Sequence, residues 1–355
     1  MIDYVARRLA IGVVTLCGVA VLVFLLMRVL PGDAAVMLSG AGAGAVSEQE
    51  LAGVRARLGL DRSMPVQFAE WAGKVAMLDL GTSLRTGSPV IVDVARRFPY
   101  TLQIVVMAML IAVLLGVSAG VLSAAYSGSW GDQILRALSV GGLAAPSFWV
   151  GLLLILLLVW LFQWSAPLVW EPFWVSPWKS ITQLFWPALA VGLRQLALIA
   201  RMTRSIMLEV LGEDYIRTAR AKGLSEWSVV MHHGLRNGLL PVVTLIGFEV
   251  SALFGGLIVT ETVFSVPGLG QYVVTAILNR DYPAAQGIVL ILAGIVVLGN
   301  LTVDLLYGWL DPRTRAQVAS RGIHFAHSDL SGLALFEEAF DHGVRAAEEV
   351  LREME

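Results

Sequence analysis

The sequence predicts an all-α polytopic membrane protein with six transmembrane helices and an exported cap after the first. Two observations carry this. Hydrophobic residues make up 57% of the 355 positions and charged residues only 15%, where a soluble domain carries about a quarter charged. The apolar residues are also gathered into runs of bilayer length, roughly 20 residues as helix, giving a mean hydropathy of +0.75. Basic residues cluster only in loops, which argues against a nucleic-acid partner and leaves the lipid bilayer as the first one. Cys17 is the single cysteine, so an intrachain disulfide and a Cys-based metal site are excluded.

Six segments meet the length requirement. Leu9–Met27 and Thr101–Tyr126 are uncharged. Ala137–Phe162 is uncharged and contains Pro146, which removes a backbone hydrogen bond and predicts a kink. Ile181–Thr203 carries Arg194 and Arg201, Gly238–Val259 carries Glu249, and Tyr282–Val303 stops at Asp304. Within the second, Gly116 and Gly120 form a GxxxG pair that permits close helix packing.

Positive charge in short loops sets orientation. Arg7 and Arg8 precede the first span, Arg136 follows the second, and Arg313 and Arg315 follow the sixth. The fourth-to-fifth loop holds Arg204, Arg217, Arg220, Lys222 and Arg236, whereas the opposite short loops offer only Lys179 and Arg280. Both termini and the fourth-to-fifth loop are therefore expected in the cytoplasm. The first span is too long for a signal-peptide core, and no small-residue cleavage pattern follows it, so it reads as a retained helix.

The four regions expected are 1–30 (N-terminus and first span), 31–99 (extracytoplasmic cap), 100–310 (core with cytoplasmic loop 211–238) and 314–355 (tail). Leu58, Leu60, Val66, Phe68 and Trp71 supply apolar side chains for a folded cap, and Gly40–Gly44 a flexible point. Trp164, Trp170, Trp174, Trp178 and Trp186 read as an aromatic belt on the exported face. In the tail, Leu333, Phe336, Phe340, Val344, Ala347 and Leu351 repeat at helical spacing. From Arg321 onward eight acids stand against three arginines, leaving −5 on the tail and +3 on the rest. An acidic amphipathic helix there should avoid anionic lipid and pack on protein instead.

Charges at membrane depth are costly and usually face protein or water. Arg194 and Glu249 each sit midway along a span, so both are expected to face a translocation path, to pair with each other, or to serve a structural role. His232 and His233 are adjacent and make a poor metal pair; no metal site is expected. The chain contains no G-x-x-x-x-G-K-[ST] phosphate loop and no G-x-S-x-G elbow, so neither ATP hydrolysis nor serine chemistry is expected of it.

Asp214–Thr244 is the most informative stretch, an Arg-rich polar segment between two apolar ones. It reads as two short helices. Asp214 caps the first, over Tyr215–Lys222, and Gly223 stops it. Ser225 caps the second, which ends near Asn237-Gly238 before Pro241. Ala219 and Gly223 are small residues one turn apart, with Arg217, Arg220 and Lys222 around them, which suits a docking element better than a solvated loop.

This loop resembles the coupling, or EAA-type, motif of ABC-importer permeases. Arg217-Thr218-Ala219 occupies the acidic-Ala-Ala triplet and Gly223 the glycine four residues on; the acid and the first Ala are absent. His233-x-Leu235-Arg236-Asn237-Gly238-Leu239-Leu240-Pro241 is similar to the B-type subunit of the dipeptide/oligopeptide/nickel subfamily. So are Arg7-Arg8-Leu9, Pro31-Gly32-Asp33, Leu58-Gly59-Leu60-Asp61, Pro65-Val66-Gln67-Phe68, Asp79-Leu80-Gly81-Thr82-Ser83 with Pro89-Val90, Thr260 to Gly270, and Asp304 to Arg313. Together they cover roughly residues 1–315.

The resemblance implies a type I ABC importer permease-like fold and half of a translocation path for peptides or similar small solutes. It implies a homologous C-type permease subunit, two ATPase subunits and an extracytoplasmic substrate-binding protein as partners. No cofactor is implied on this chain, with ATP and Mg on the ATPase subunits, and the location implied is a bacterial or archaeal plasma membrane. The coupling residues carried over are Arg217, Thr218, Ala219, Arg220, Lys222, Gly223 and Leu224. Two alternatives stay open on the residues alone: an ion-gradient-driven secondary transporter using Glu249 and Arg194, and an intramembrane enzyme, for which no catalytic constellation is found.

Overall fold

The computed structural model describes residues 2–29 and 61–310. The chain divides into a compact unit ending at Gly299 and a second beginning at Asn300; the packing described below lies within the first. The described residues form helices joined by short turns, with one isolated bridge between Thr82 and Pro89.

The helices are α1 (Ile2–Val29), α2 (Met64–Ala76), α3 (Val90–Ala125), α4 (Trp130–Ala144), α5 (Ser147–Phe162), α6 (Pro177–Leu211), α7 (Asp214–Ala221), α8 (Glu226–Ser228), a π-helical stretch over Val229–Leu235, α9 (Arg236–Val263), α10 (Leu269–Leu278) and α11 (Tyr282–Leu310). Five of them are long and apolar enough to cross a membrane, and a sixth span results if the bent pair α4–α5 is counted as one. Their outward residues suit lipid. Leu110, Leu114 and Leu115 on α3 and Leu152, Leu156 and Trp160 on α5 are exposed, which water would penalise as contiguous apolar surface.

One expected span is corrected. The sequence places a single kinked helix over Ala137–Phe162; the structure divides it into α4 and α5, bent by 106°. Pro146 disfavours helix at the residue before it, and Ala145 is extended, with φ −78° and ψ 124°. Pro146 itself becomes the N-cap of α5. The proline is a break, not a kink. Conversely, α3 starts at Val90, well before Thr101, and carries Pro99 inside it.

The core is a seam between α3 and α6. Ile104, Ala108, Ala112, Gly116, Gly120 and Ala124 recur every four residues on α3, and all are buried. In lipid, helices associate by van der Waals contact between closely approaching backbones, not by expulsion of water. The glycines show how close the approach is. A Cβ at Gly120 would stand 2.6 Å from Ala200 O and Thr203 Cβ, and one at Gly116 3.0 Å from Leu196 O; from the other side, a Cβ at Gly192 would stand 3.0 Å from Ala108 O. Leu253, Phe254 and Leu257 of α9, with Phe264, complete this core.

Within the segment expected as a cap, α2 docks on the end of α1. Phe24 meets Phe68 edge-on at 5.2 Å and Trp71 at 5.6 Å, and Arg28 Nη2 donates to Gln67 Oε1 at 2.9 Å. Leu58, Leu60 and Gly40–Gly44 lie outside the described residues, as does the 314–355 tail. The tryptophan belt divides. Trp174 and Trp178 are exposed, while Trp164, Trp170 and Trp186 pack against the core.

Replacing Gly120 by Val should destabilise the fold by roughly 1–3 kcal/mol, the usual cost of overpacking. Gly141→Ala on α4, where nothing lies within 4 Å of the added Cβ, should be neutral or slightly stabilising. Thermal unfolding of the two purified variants in the same detergent compares them.

Candidate functional site

The polar loop between α6 and α9 is a folded unit. α7 buries Ile216 and Ala219 against Val229 and Leu211. Its other face carries Arg217, Thr218 and Arg220, all exposed. The expected cap shifts by one residue: Glu213 occupies the N-cap position and makes no side-chain cap bond. Asp214 lies in the first turn, where an acid suits the helix dipole, and accepts from Arg217 Nη1 at 3.1 Å. Both side chains are largely exposed, so this pair adds little stability.

Gly223 terminates α7 with φ +79°. Leu224 N donates to Ala219 O, and Gly223 N to Arg220 O. These two bonds are the Schellman arrangement, which favours glycine at the left-handed position. Nothing lies within 4 Å of a Cβ added there, so glycine is required by backbone conformation. Ser225 then caps α8, accepting from Ser228 N. Arg220 Nε donates to Glu226 Oε1 at 2.8 Å, tying the two sides of the corner.

The second helix departs from expectation. It does not end near Asn237-Gly238; α8, the π stretch and α9 run as one continuous helical path, with Pro241 inside α9. The wider π turns keep Val229, Val230 and Gly234 buried. A Cβ at Gly234 would meet Met207 Cε at 3.1 Å and Leu211 Cδ2 at 3.3 Å, so that stretch is held against the end of α6.

Of the seven expected coupling residues, Arg217, Thr218, Arg220, Lys222, Gly223 and Leu224 are exposed, whereas Ala219 is buried under its own loop. Ala219 supports the loop and offers no surface. Sequence reasoning passed over the exposed apolar side chains Tyr215, 41% exposed, and Trp227, 69% exposed, which join Leu224 on this polar loop. Helical phase gave no signal for Tyr215, which stands one turn before the buried Ala219 on the same side of α7.

At membrane depth, Glu249 Oε2 accepts from Gln195 Nε2 at 2.7 Å. Arg194 precedes that glutamine but points to the exposed side; the carboxylate is paired with the amide, not with the guanidinium. Gln195 Oε1 is buried without a hydrogen-bond partner.

Three further acids order the end of the helices opposite the loop. Glu261 is fully buried. It accepts from Thr101 Oγ1 at 2.6 Å and from Gln271 N at 3.1 Å, and Thr101 Oγ1 in turn accepts from Leu269 N at 2.9 Å. Gly268 leaves room for this carboxylate, since a Cβ there would stand 2.3 Å from it. Asp281 accepts from Ser83 Oγ and from Leu84 N at 3.0 Å. Asp93 accepts from the Tyr272 hydroxyl at 3.0 Å, and burial, then this bond, pushes the Tyr272 phenol up to about 12. The stretches 83–101 and 261–281, far apart in sequence, thus meet at one end. Among the described residues no group of three His, Cys, Asp or Glu side chains could hold a metal ion.

Membrane-length helices around a seam of small residues, with a folded polar loop at one end, define an α-helical membrane-spanning protein. The chain belongs to the binding-protein-dependent transport system inner membrane component family, whose pattern matches residues 112–316. The N-terminal pattern of such membrane components matches residues 1–105. The chain is 40% identical over 320 residues to a probable peptide ABC transporter permease of Sinorhizobium fredii, covering 88% of this chain and 99% of that one. It is also 40% identical over 340 residues to the dipeptide transport system permease protein DppB of Escherichia coli K12, covering 89% and 99%. A putative peptide transport system permease protein of Brucella abortus is 40% identical over 315 residues, covering 89% and 99%. This chain is a membrane subunit of an ABC transporter, a transport component and not an enzyme.

Replacing Glu261 by Ala should cost roughly 1–3 kcal/mol, the penalty for leaving buried donors unsatisfied, here the Thr101 hydroxyl and Gln271 N–H. Glu261→Gln should lose less, because it keeps one acceptor oxygen. Chemical or thermal unfolding of the two variants measures the order.

Proposed function

We propose that this subunit forms half of the translocation path of an importer for peptides or similar small solutes. It pairs with a homologous C-type permease subunit, is driven by two ATPase subunits that carry ATP and Mg, and receives substrate from an extracytoplasmic binding protein. The peptide assignment leans on the names of its relatives. Both termini and the 214–238 loop face the cytoplasm, a reading supported by the arginine bias of the short loops.

The observation that carries the coupling role is the exposed Tyr215, Leu224 and Trp227 on a rigid, otherwise polar corner. Aromatic side chains held on a polar surface are the usual anchors of a protein interface. The π stretch leads from that corner directly into α9, so motion imposed on the loop is transmitted to a span without a flexible connector. Glu249, paired with Gln195, with its unsatisfied Oε1 beside it, is the polar station proposed on the path, and Arg194 is the second candidate. Alternating access follows: ATP-driven closure of the motors pulls the loop, the path opens outward, and hydrolysis resets it.

A non-glycine residue at a left-handed position costs roughly 1–2 kcal/mol, enough to lower the equilibrium constant for forming the corner about tenfold. Gly223→Trp should therefore leave ATP hydrolysis running while uptake in reconstituted vesicles collapses. Normal uptake would overturn the coupling role. Gly223→Ala adds the strain without the bulk and should show a smaller loss. Trp227→Ala should weaken ATPase-subunit association by 2 kcal/mol or more, on the order of thirtyfold, as a central anchor does; copurification at graded salt reads this directly.

A further inference from the structure

A cavity of about 250 Å³ opens between α3, α4 and α6 at the end of the helices nearest the polar loop. It is lined by Ala119 and Ser123 of α3, Arg136 and Ser139 of α4, and Arg201 and Arg204 of α6, among others. Its chemistry is mixed. Alanines, Leu135 and Val140 contribute apolar surface, while serines and three arginines contribute the polar groups. It is smaller than the roughly 300–1,000 Å³ of sites that enclose whole drug-sized ligands, which suits a headgroup better than a peptide.

The charge does not cancel. Arg204 is committed to the buried carboxylate of Asp132, donating from Nε at 2.7 Å and from Nη2 at 2.9 Å. The Ser123 hydroxyl and Gly128 N also donate to that carboxylate. Arg136 Nε stands 3.7 Å from the same group. Among the described residues Arg201 has no acidic partner. No acid is among the lining residues, and three arginines against the adjoining Asp132 leave a net charge of +2.

The surroundings place this charge at a lipid boundary. α4 departs from the span direction of α5 by 106°. Trp130, Ile134, Leu138 and Val140 of α4 are exposed, while Arg136 shares the cavity. A short helix with exposed apolar residues, an aromatic at its start and an arginine at a cationic pocket is suited to lie in the interface plane.

We propose that this cavity binds the phosphate headgroup of an anionic phospholipid from the leaflet on the coupling-loop side. Arg201 and Arg136 hold the phosphodiester, the hydroxyl of Ser205 of α6, in the same lining, donates to one of its oxygens, and the acyl chains run out over Val140 and Leu138. Basic pockets between transmembrane helices on the cytoplasmic side are a recurrent way of retaining anionic lipid. Arg204, locked on Asp132, keeps the pocket open and is not the primary ligand. The inference rests on the membrane placement above but not on the coupling role.

The test uses the full chain with whatever subunits copurify, in nanodiscs of phosphatidylcholine doped with phosphatidylglycerol. Lipid retained after transfer to detergent is counted by native mass spectrometry. The wild type should retain phosphatidylglycerol in preference to phosphatidylcholine. In the double variant R136Q/R201Q this preference should fall on the order of tenfold, with unchanged elution volume and unfolding temperature. Equal retention of the two lipids by the wild type, or an undiminished preference in the double variant, overturns the proposal. So does protection of the unlipidated protein by inorganic phosphate equal to that by phosphatidylglycerol, which would mark a small-anion site.

Discussion

The close approach of α3 and α6 is the constraint on which the rest of the unit depends. Stripes of Ala and Gly on α3 meet Gly192 and the backbone near Ala200 at distances that leave no room for larger side chains. Lipid supplies no hydrophobic drive between helices, so this density of contact has to supply the attraction. Once the seam is set, both of its ends are pinned by buried acids. At one end Asp132 accepts from Arg204 of α6 and from Ser123 of α3. At the other, Glu261 of α9 accepts from Thr101 of α3. The carboxylates do not create the packing. They fix the turns that leave it, because a buried carboxylate left short of donors is far more costly than a paired one.

The same economy explains the loop. A polar segment between two spans has no apolar core of its own beyond Ile216, Ala219 and Val229. It is kept rigid by local geometry: a left-handed glycine, a serine cap, a cross-corner Arg220–Glu226 pair and a π stretch anchored on Met207 and Leu211. All of these devices except the anchoring on Met207 and Leu211 are short-range in sequence. That leaves the outward surface free to carry residues that folding does not need, among them Trp227.

What was legible in the sequence follows from the range of the interactions. Span number and membrane class came from composition and run length, which act locally. The Gly223 stop and the Ser225 cap were readable for the same reason. The Gly116–Gly120 pair signalled packing but showed neither its partner helix nor the extent of its stripe from Ile104 to Ala124. Pro146 was seen as a proline, yet kink and break differ by where the chain goes next, which no local pattern specifies. Glu261 was hidden inside a motif, because its role depends on Thr101, 160 positions away in sequence. Glu249 was found, but Arg194, the partner considered for it as one of several roles, lies one residue from the actual partner Gln195. In a helix a one-residue step turns a side chain by about 100°, enough to put Gln195 inward and Arg194 outward.

Continuity of the helical path from Glu226 to Val263 joins two ends of the molecule that the sequence treats separately. Trp227 stands at its beginning, and Glu261 near its end. Glu261 is bonded to Thr101 at the start of the α3 seam and to the chain entering α10 through Gln271 N. A force on the loop therefore reaches, along one element, the residues that shape the far end of the bundle. Physical coupling between distant sites needs such a rigid element with more than one arrangement. The π stretch at Val229–Leu235 and Pro241 within α9 are the two points where that element departs from regular α-helical bonding. π turns and prolines are where helices bend. Both lie on the loop side of Glu249, so a bend at either would shift Glu249 relative to Gln195 while the Glu261 brace holds the opposite end in place.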